Sequence, residues 1–180
     1  ILEEKCDKII EKCTEIFANA GLVFTATKLV GSPVDMILEQ SQLTDLVIMG
    51  KRGEFARWDS NALGATVEAV SRSIYKPLLI VKDKYQEIKK IVTGYDGSSH
   101  ANKCLQYIGY IAEMLQVPVS VICVADDQEL GQHCCQEAEA YFNNFNISVT
   151  SQVLKGSPDK ELANYAQTQE FDLIGIGAYG

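Results

Sequence analysis

The sequence predicts an α/β fold, a parallel twisted sheet with helices on both faces, present as a tandem repeat. Three observations carry that prediction. Short apolar runs of strand length alternate with stretches whose apolar residues recur every three or four positions, the pattern of strands joined by helical crossovers. Leu46-Val47-Ile48-Met49 and Leu78-Leu79-Ile80-Val81 are apolar at every position, as strands buried between two helix layers are. The chain also repeats itself. Phe17 to Gly31 matches Phe142 to Gly156 at an offset of 125 residues, with Ser32-Pro33 and Ser157-Pro158 in step. Asp45-Leu-Val-Ile-Met-Gly50 matches Asp172-Leu-Ile-Gly-Ile-Gly177 at an offset of 127.

Taken in order, Leu2 to Ala20 places Leu2, Cys6, Ile9, Ile10, Cys13, Ile16 and Phe17 at helical steps, an amphipathic helix that Gly21 stops. Leu22 to Val30 reads as a strand. Ser32 stands at the N-cap and Pro33 at the first position of a helix running to about Leu43. The strand at Leu46 follows, then a glycine-punctuated loop, a helix over Ala65 to Ser73 and the strand Leu78 to Val81. Lys82 to Lys90 is charged and polar, a linker in composition. A second unit opens with the strand Ile91 to Gly94 and the Asp96-Gly97 turn, and Ser99 is placed to cap a helix through Leu115. A strand over Val117 to Val124, a helix over Glu129 to Phe145, a strand over Ile147 to Leu154, a helix over Pro158 to Gln169 and a strand at Leu173 complete the pattern.

The repeat divides the chain into residues 1–83, the later part of a first domain, a linker over 84–90, and residues 91–180, the earlier part of a second. Neither copy is complete on this reading, and the chain is expected to start within a domain.

Composition narrows the partners. The 180 residues are 47% hydrophobic and carry a formal charge of −8, so the long-range field opposes nucleic acid and anionic membrane surfaces. No apolar run approaches a membrane span, and Ile1-Leu-Glu-Glu-Lys-Cys6 does not read as a signal peptide. The expectation is a cytoplasmic protein with no nucleic-acid or membrane partner. Cys6, Cys13, Cys104, Cys123, Cys134 and Cys135 show no CxxC spacing, and His100 and His133 are the only histidines. That pattern points to reduced thiols rather than zinc, and no metal ligand is assigned.

Asp45 to Thr66 carries the chemistry. A strand ends at Met49 and Gly50, Gly53 follows, and Gly64 stands just before a helix. An anion held by backbone N–H groups needs the main chain close by, in dihedrals that side chains forbid, and a helix N-terminus adds unpaired N–H groups and a favourable dipole. Glycines also make turns at strand ends that bind nothing. Gly50-Lys-Arg-Gly53, a spacer from Glu54 to Leu63, then Gly64 and Thr66 resemble the ATP-binding signature of the universal stress protein family: Gly, two residues, Gly, nine residues, Gly, then Ser or Thr. The spacer is one residue longer, and Ala65 stands where the hydroxyl residue belongs. Both departures bear on phosphate binding.

The resemblance covers essentially the whole chain as two staggered parts. Asp96-Gly97-Ser98 resembles the family's turn after its first strand, where the Asp accepts from the adenine end. Val124 matches the apolar residue ending the second strand, and Gly177-Ala-Tyr-Gly180 repeats the opening of the glycine signature. The resemblance implies a Rossmann-like, adenine nucleotide alpha hydrolase-like fold and a stress-response protein that binds ATP, alone or with Mg²⁺, with slow or no hydrolysis. Its binding residues would be Met49, Gly50, Gly53, Gly64, Ala65, Thr66, Asp96, Val124, Gly177 and Gly180. It further implies a homodimer or domain pairing through the last strand, Leu78 to Val81. In the family the adenine-side Asp and the phosphate loop share one domain, so the Gly50 loop would use an Asp preceding Ile1, and Asp96 a loop continuing past Gly180.

Other readings stay open. Asp96 either meets adenine or fixes its own turn. Lys51 and Arg52 touch phosphate or are solvated; Phe55 and Trp58 form a lid or a partner patch; Asp59 is a weak candidate for Mg²⁺. No nucleophile, base and orienter occur together, so no catalytic residue is assigned. A universal stress protein domain that binds no nucleotide and serves as a dimerisation or interaction module is the first alternative. An enzyme of the related folds, transferring phosphate or adenylate, is the second.

Overall fold

Two parallel sheets form, one from each half of the chain, in a computed structural model that describes residues 2–51 and 64–177. In the first half α1 (Leu2–Asn19), α2 (Pro33–Ser41), β1 (Val47–Gly50), α3 (Ala65–Ser73) and β2 (Leu78–Val81) follow one another. β1 and β2 pair in parallel, Val47 opposite Leu78 and Gly50 opposite Val81. The intervening helix α3 buries Val67 and Val70, the residues its periodicity marks as the apolar face. The helix α1 ends as its sequence requires. Gly21 takes φ +67, its N–H donates to the Ala18 carbonyl at 3.0 Å, and the Leu22 N–H donates to the Phe17 carbonyl at 3.0 Å, the paired bonds of a Schellman cap.

The strand expected over Leu22 to Val30 does not form. Those residues are extended or irregular, with Val23 and Val30 fully exposed. A strand exists only where a neighbour accepts its ladder of hydrogen bonds, and among the described residues neither β1 nor β2 pairs with this segment. It lies instead along α1, held by an ion pair from Lys28 to Asp7 at 3.0 Å and by Phe24 edge-on to Phe17 at 5.4 Å.

The second half is β3 (Ile91–Gly94), α4 (Ser99–Leu115), β4 (Val119–Val124), α5 (Gln128–Phe142), β5 (Val149–Leu154), α6 (Pro158–Thr168) and β6 (Leu173–Gly175). The strands lie in the order β5-β4-β3-β6 and all pairs are parallel. Alternate residues face opposite layers. Ile91, Val119, Val121 and Cys123 join Leu105 and Ile108 of α4 and Phe142 of α5 in one buried cluster. Val92 and Ile122 join Ala166, Leu162 and Phe171 on the other face, under α6. This is the two-layer cover that a parallel sheet with apolar residues on both faces demands.

Several ends shift from expectation. Ser98, not Ser99, caps α4, its hydroxyl accepting from the Ala101 N–H at 3.1 Å. Asp127 caps α5 by the same means. Ser32 and Ser157 occupy N-cap positions but make no side-chain cap bond, since the Ser157 hydroxyl donates to Asp159 instead. The helix α5 stops at Phe142, and Phe145 folds back so close to α4 that a Cβ on Gly109 would lie 2.6 Å from its ring. No helix among the described residues is long and apolar enough to cross a membrane.

Gln86 to Lys90 is tied to the second sheet. One carboxylate oxygen of Asp172 accepts from the Lys89 N–H at 2.9 Å and the Lys90 N–H at 3.2 Å, and the other from the Gln86 side chain at 2.7 Å. The Lys89 N–H is the main reason the carboxyl titrates below its ordinary value; burial opposes it, and Gln86 and Lys90 add to the lowering. A depressed carboxylate contributes stability that is fully present above its unfolded value, about 3.9, and is lost as pH falls through the folded value. Asp172→Ala is therefore expected to lower stability by about 1 kcal/mol at pH 7. In urea melts the gap from the parent should close as the solution is acidified below the carboxylate range. A gap independent of pH would show that the carboxylate charge is not what holds the segment.

Candidate functional site

Where β3, β4 and β6 reach their carboxyl ends the second sheet opens into a cleft of about 240 Å³. Its apolar side is Ile122, Val124 and Leu162, and its wall is Gly94, Ile176 and Gly177. Two helix N-termini flank it, α4 through Ser98 and Ala101 and α6 through Pro158 and Asp159. This edge of an open parallel sheet is where crossovers leave a crevice.

The turn after β3 builds the rim. The Tyr95 N–H donates to the Ile122 carbonyl at 3.0 Å, extending the ladder past Gly94. Tyr95 turns its ring inward, 6% exposed, with its hydroxyl donating to Asn102 Oδ1 at 2.9 Å. Burial first, and then the neighbouring Glu137, raise its pKa, so it stays a neutral phenol. Asp96 consequently faces outward. Gly97 takes φ +79, a conformation that L side chains rarely adopt, and the Ser98 N–H donates to Asp96 Oδ1 at 2.9 Å. Partial burial raises the Asp96 pKa, but hydrogen bonding by Ser98 and the field of His100 outweigh it, and the net shift is downward. Asp96 is thus an ionised acceptor that fixes its own turn while lining the cleft.

The wall needs glycine. A Cβ on Gly177 would lie 2.9 Å from the Ala101 backbone nitrogen and 3.0 Å from the His100 carbonyl carbon. Backbone cannot yield to that, so the chain leaving β6 passes against the first turn of α4 only because residue 177 lacks a side chain.

Charge in the cleft is lopsided. Among the described residues Asp96 and Asp159 are its charged residues, and no Lys or Arg lines it. The Ser157 hydroxyl chiefly holds Asp159 below the ordinary carboxylate range. Such a lining suits an uncharged group rich in hydrogen-bond donors, and any anion would rest on backbone N–H groups and helix dipoles. At about 240 Å³ the space is below the roughly 300–1,000 Å³ of sites that enclose a whole drug-sized ligand.

The sequence-predicted residues fall into two groups on two sheets. Asp96, Val124 and Gly177 come together in the cleft. Met49, Gly50, Gly64, Ala65 and Thr66 gather instead at the carboxyl end of β1 and the start of α3. There the Lys51 N–H donates to the Val81 carbonyl at 2.8 Å and the Gly64 N–H to the Lys51 carbonyl at 3.1 Å. Lys51 and Gly64, on either side of the loop, therefore meet, and the Gly64 N–H is engaged. The N–H groups of Ala65 to Val67, in the first turn of α3, have no preceding helical carbonyl to meet. Gly53 and Gly180, with Arg52, Phe55, Trp58 and Asp59, lie outside the described residues.

Sequence reasoning missed the α6 side of the cleft, Pro158, Asp159 and Leu162. The available signal was the position of Ser157-Pro158 just after the strand ending at Leu154, which sends that helix N-terminus to the same edge as every other strand end. Among the described residues no group of three or more His, Cys, Asp or Glu is arranged to hold a metal. The six thiols are free; burial first, and then Cys135, push the Cys123 thiol far above the ordinary range.

No family model matches the chain. A universal stress protein of Synechocystis, Slr1230, is 30% identical over 138 residues, which span 76% of this chain and 48% of that protein. A crystal structure of a universal stress protein from Archaeoglobus fulgidus superposes with a TM-score of 0.80 at 21% identity, covering 96% of this chain and 66% of its own, a likeness of fold. The chain thus spans about half the length of the curated relative that it matches. Parallel sheets joined by helical crossovers, together with that sequence match, place this chain in the universal stress protein family.

Proposed function

We propose that this protein binds ATP or a related adenine nucleotide and acts as a nucleotide-dependent regulatory protein in the cytoplasm, with slow or no hydrolysis. The observation that carries the reading is the convergence of Asp96, Val124 and Gly177, far apart in sequence, on one cleft between two helix N-termini. The apolar side made by Ile122, Val124 and Leu162 suits a base, and the ionised Asp96 suits its exocyclic amine or a ribose hydroxyl. The phosphates then point out past Gly177 and the α4 N-terminus. The described residues offer no protein-built metal site, so Mg²⁺ would arrive with the phosphates, as it commonly does.

We read the chain as a tandem arrangement over residues 1–83 and 91–180 joined by 84–90. On that reading β2, whose outer edge has no partner among the described residues, is the strand available for pairing between domains or copies. A second reading, an interaction module without nucleotide, draws on one specific observation: the Gly64 N–H is already donated to Lys51, and Ala65 supplies no hydroxyl.

The test is to denature protein purified from cells and identify what it releases by absorbance and mass. Near-stoichiometric ATP or ADP is expected. Its loss in Asp96→Ala would assign the second-unit cleft, and its loss in Gly64→Val the first-unit loop. A protein that is empty and also fails to bind added Mg-ATP would leave the interaction module.

A further inference from the structure

Three of the six thiols gather where α5 lies on the second sheet. Cys123 of β4 and Cys134 and Cys135 of α5 belong to the larger buried cluster, 1%, 8% and 6% exposed. None of them lines the cleft at the strand ends. Helix and sheet are pressed close together here. A Cβ on Gly131, one turn before Cys135 on the same helix face, would lie 2.5 Å from Val153 Cγ1 and 3.4 Å from Ala125 Cβ. Ala138 beyond the pair is fully buried as well. With small residues on either side, α5 settles onto β4, and Cys135 is the first side chain to act on the Cys123 thiol.

The two thiols of α5 go separate ways, because successive helix residues point about 100° apart. Cys134 turns toward the Asp96-Gly97 turn, its Sγ 3.8 Å from where a Cβ on Gly97 would stand. Burial first, and then Glu137, raise its pKa, which keeps it a protonated thiol. Cys135 instead helps to line a groove of about 280 Å³ between α5 and β5. Gln128, Gln132, Gln136 and Gln152 furnish that groove with amides. Glu139, one turn beyond Cys135, also lines it and accepts from the Ser151 hydroxyl at 2.6 Å.

We propose that Cys135 and Cys123 form a peroxide-reactive thiol pair, in which Cys135 meets hydrogen peroxide entering through this groove and Cys123 closes a disulfide on it. The Cys135 sulfur attacks one peroxide oxygen and the O–O bond breaks. Sulfur is oxidised to the sulfenic acid, and the other oxygen is reduced and leaves as water with the thiol proton, which the Glu139 carboxylate is placed to relay. Cys123 then attacks the Cys135 sulfur, the S–O bond breaks, and the hydroxyl leaves as a second water with the Cys123 proton. Burial sets this order, since Cys123 has no opening of its own to the oxidant. The groove suits hydrogen peroxide, which donates and accepts hydrogen bonds, and beyond Val153 it gives the tail of a fatty hydroperoxide little to rest on. In a reducing compartment such a bond is transient and reports redox state. The inference does not rest on nucleotide binding.

The test is to treat the folded 180-residue chain with hydrogen peroxide, unfold it in an alkylating agent and map the thiols by mass. A Cys123–Cys135 disulfide is expected, reversed by dithiothreitol, with Cys134 still alkylated as a thiol. In Cys123→Ala, Cys135 should stop at the sulfenic acid and be captured by dimedone. Reactivity follows access, so Ser151→Trp, which fills the groove from β5, should slow the oxidation by about tenfold or more. Melts confirm that each variant is folded. A bridge between other thiols, or a Cys135 that stays reduced while Cys6 or Cys13 oxidises, overturns the pair. An undiminished rate in folded Ser151→Trp overturns the groove as the way in. If Cys123→Ala does not fold, Cys135→Ser decides instead: Cys123 should then stay a thiol, and its oxidation would overturn the assigned roles.

Discussion

Phe142→Ala is expected to destabilise the protein by about 3–5 kcal/mol, the cost of emptying an aromatic site in a closed core. Phe142 is 1% exposed, belongs to the larger buried cluster, and meets the rings of Tyr141 at 5.7 Å and Phe145 at 6.1 Å. Neither wall of that site can collapse, because one is sheet and the other is α4. The repeat supplies the control. Phe17, which the 125-residue offset aligns with Phe142, is 39% exposed and meets only Phe24 among the ring pairs of the described residues. Phe17→Ala in the 180-residue chain should therefore cost about 1 kcal/mol or less. Urea melts of both variants decide the matter. Equal costs would mean that α1 is buried as fully as α5, against the exposures seen here.

Gly177→Val is expected to lower affinity for adenine nucleotide by at least about a hundredfold, near 3 kcal/mol, if the cleft is the binding site proposed above. The side chain would enter the backbone of His100 and Ala101, so the segment leaving β6 must move off the first turn of α4. One wall of the cleft and the N–H groups beside it then lose register together. Asp96→Asn should do less, about tenfold, because the amide keeps an acceptor oxygen and loses the charge. Titration of Mg-ATP by calorimetry, with melts to confirm folding, separates the two. Full affinity in folded Gly177→Val would place the phosphates elsewhere.

The second unit was largely legible in the sequence, and the reason is local. Each of its strands has a partner in the same chain, so period and pairing agree, and errors amount to three residues or fewer at the ends. Ser98 displaced Ser99 as the cap because the Asp96-Gly97 turn reaches the helix one residue earlier. Leu22 to Val30 failed for a different reason. Its pattern is that of a strand, but pattern fixes only which face a residue would take, and pairing depends on a neighbour. At the site, Asp96, Val124 and Gly177 were found as separate strand ends, and topology brought them together. Pro158, Asp159 and Leu162 were missed because a helix start reads as a cap until the strand order shows where it faces.

The pairing of β3 with β6 has a consequence for how the chain folds. Ile91 and Leu173 are partners about 80 residues apart, whereas Val47 and Leu78 of the first sheet are about 30 apart. Closing the longer loop costs only about 0.9 kcal/mol more in chain entropy, but such non-local contacts slow the approach to the native state. At ribosomal speeds of about 5–20 residues per second, roughly 4–16 s separate the synthesis of β3 from that of β6. For that interval β3 offers an open edge with Ile91 and Val92 still uncovered on that side, and the nascent second sheet is most exposed to mispairing just before β6 is made.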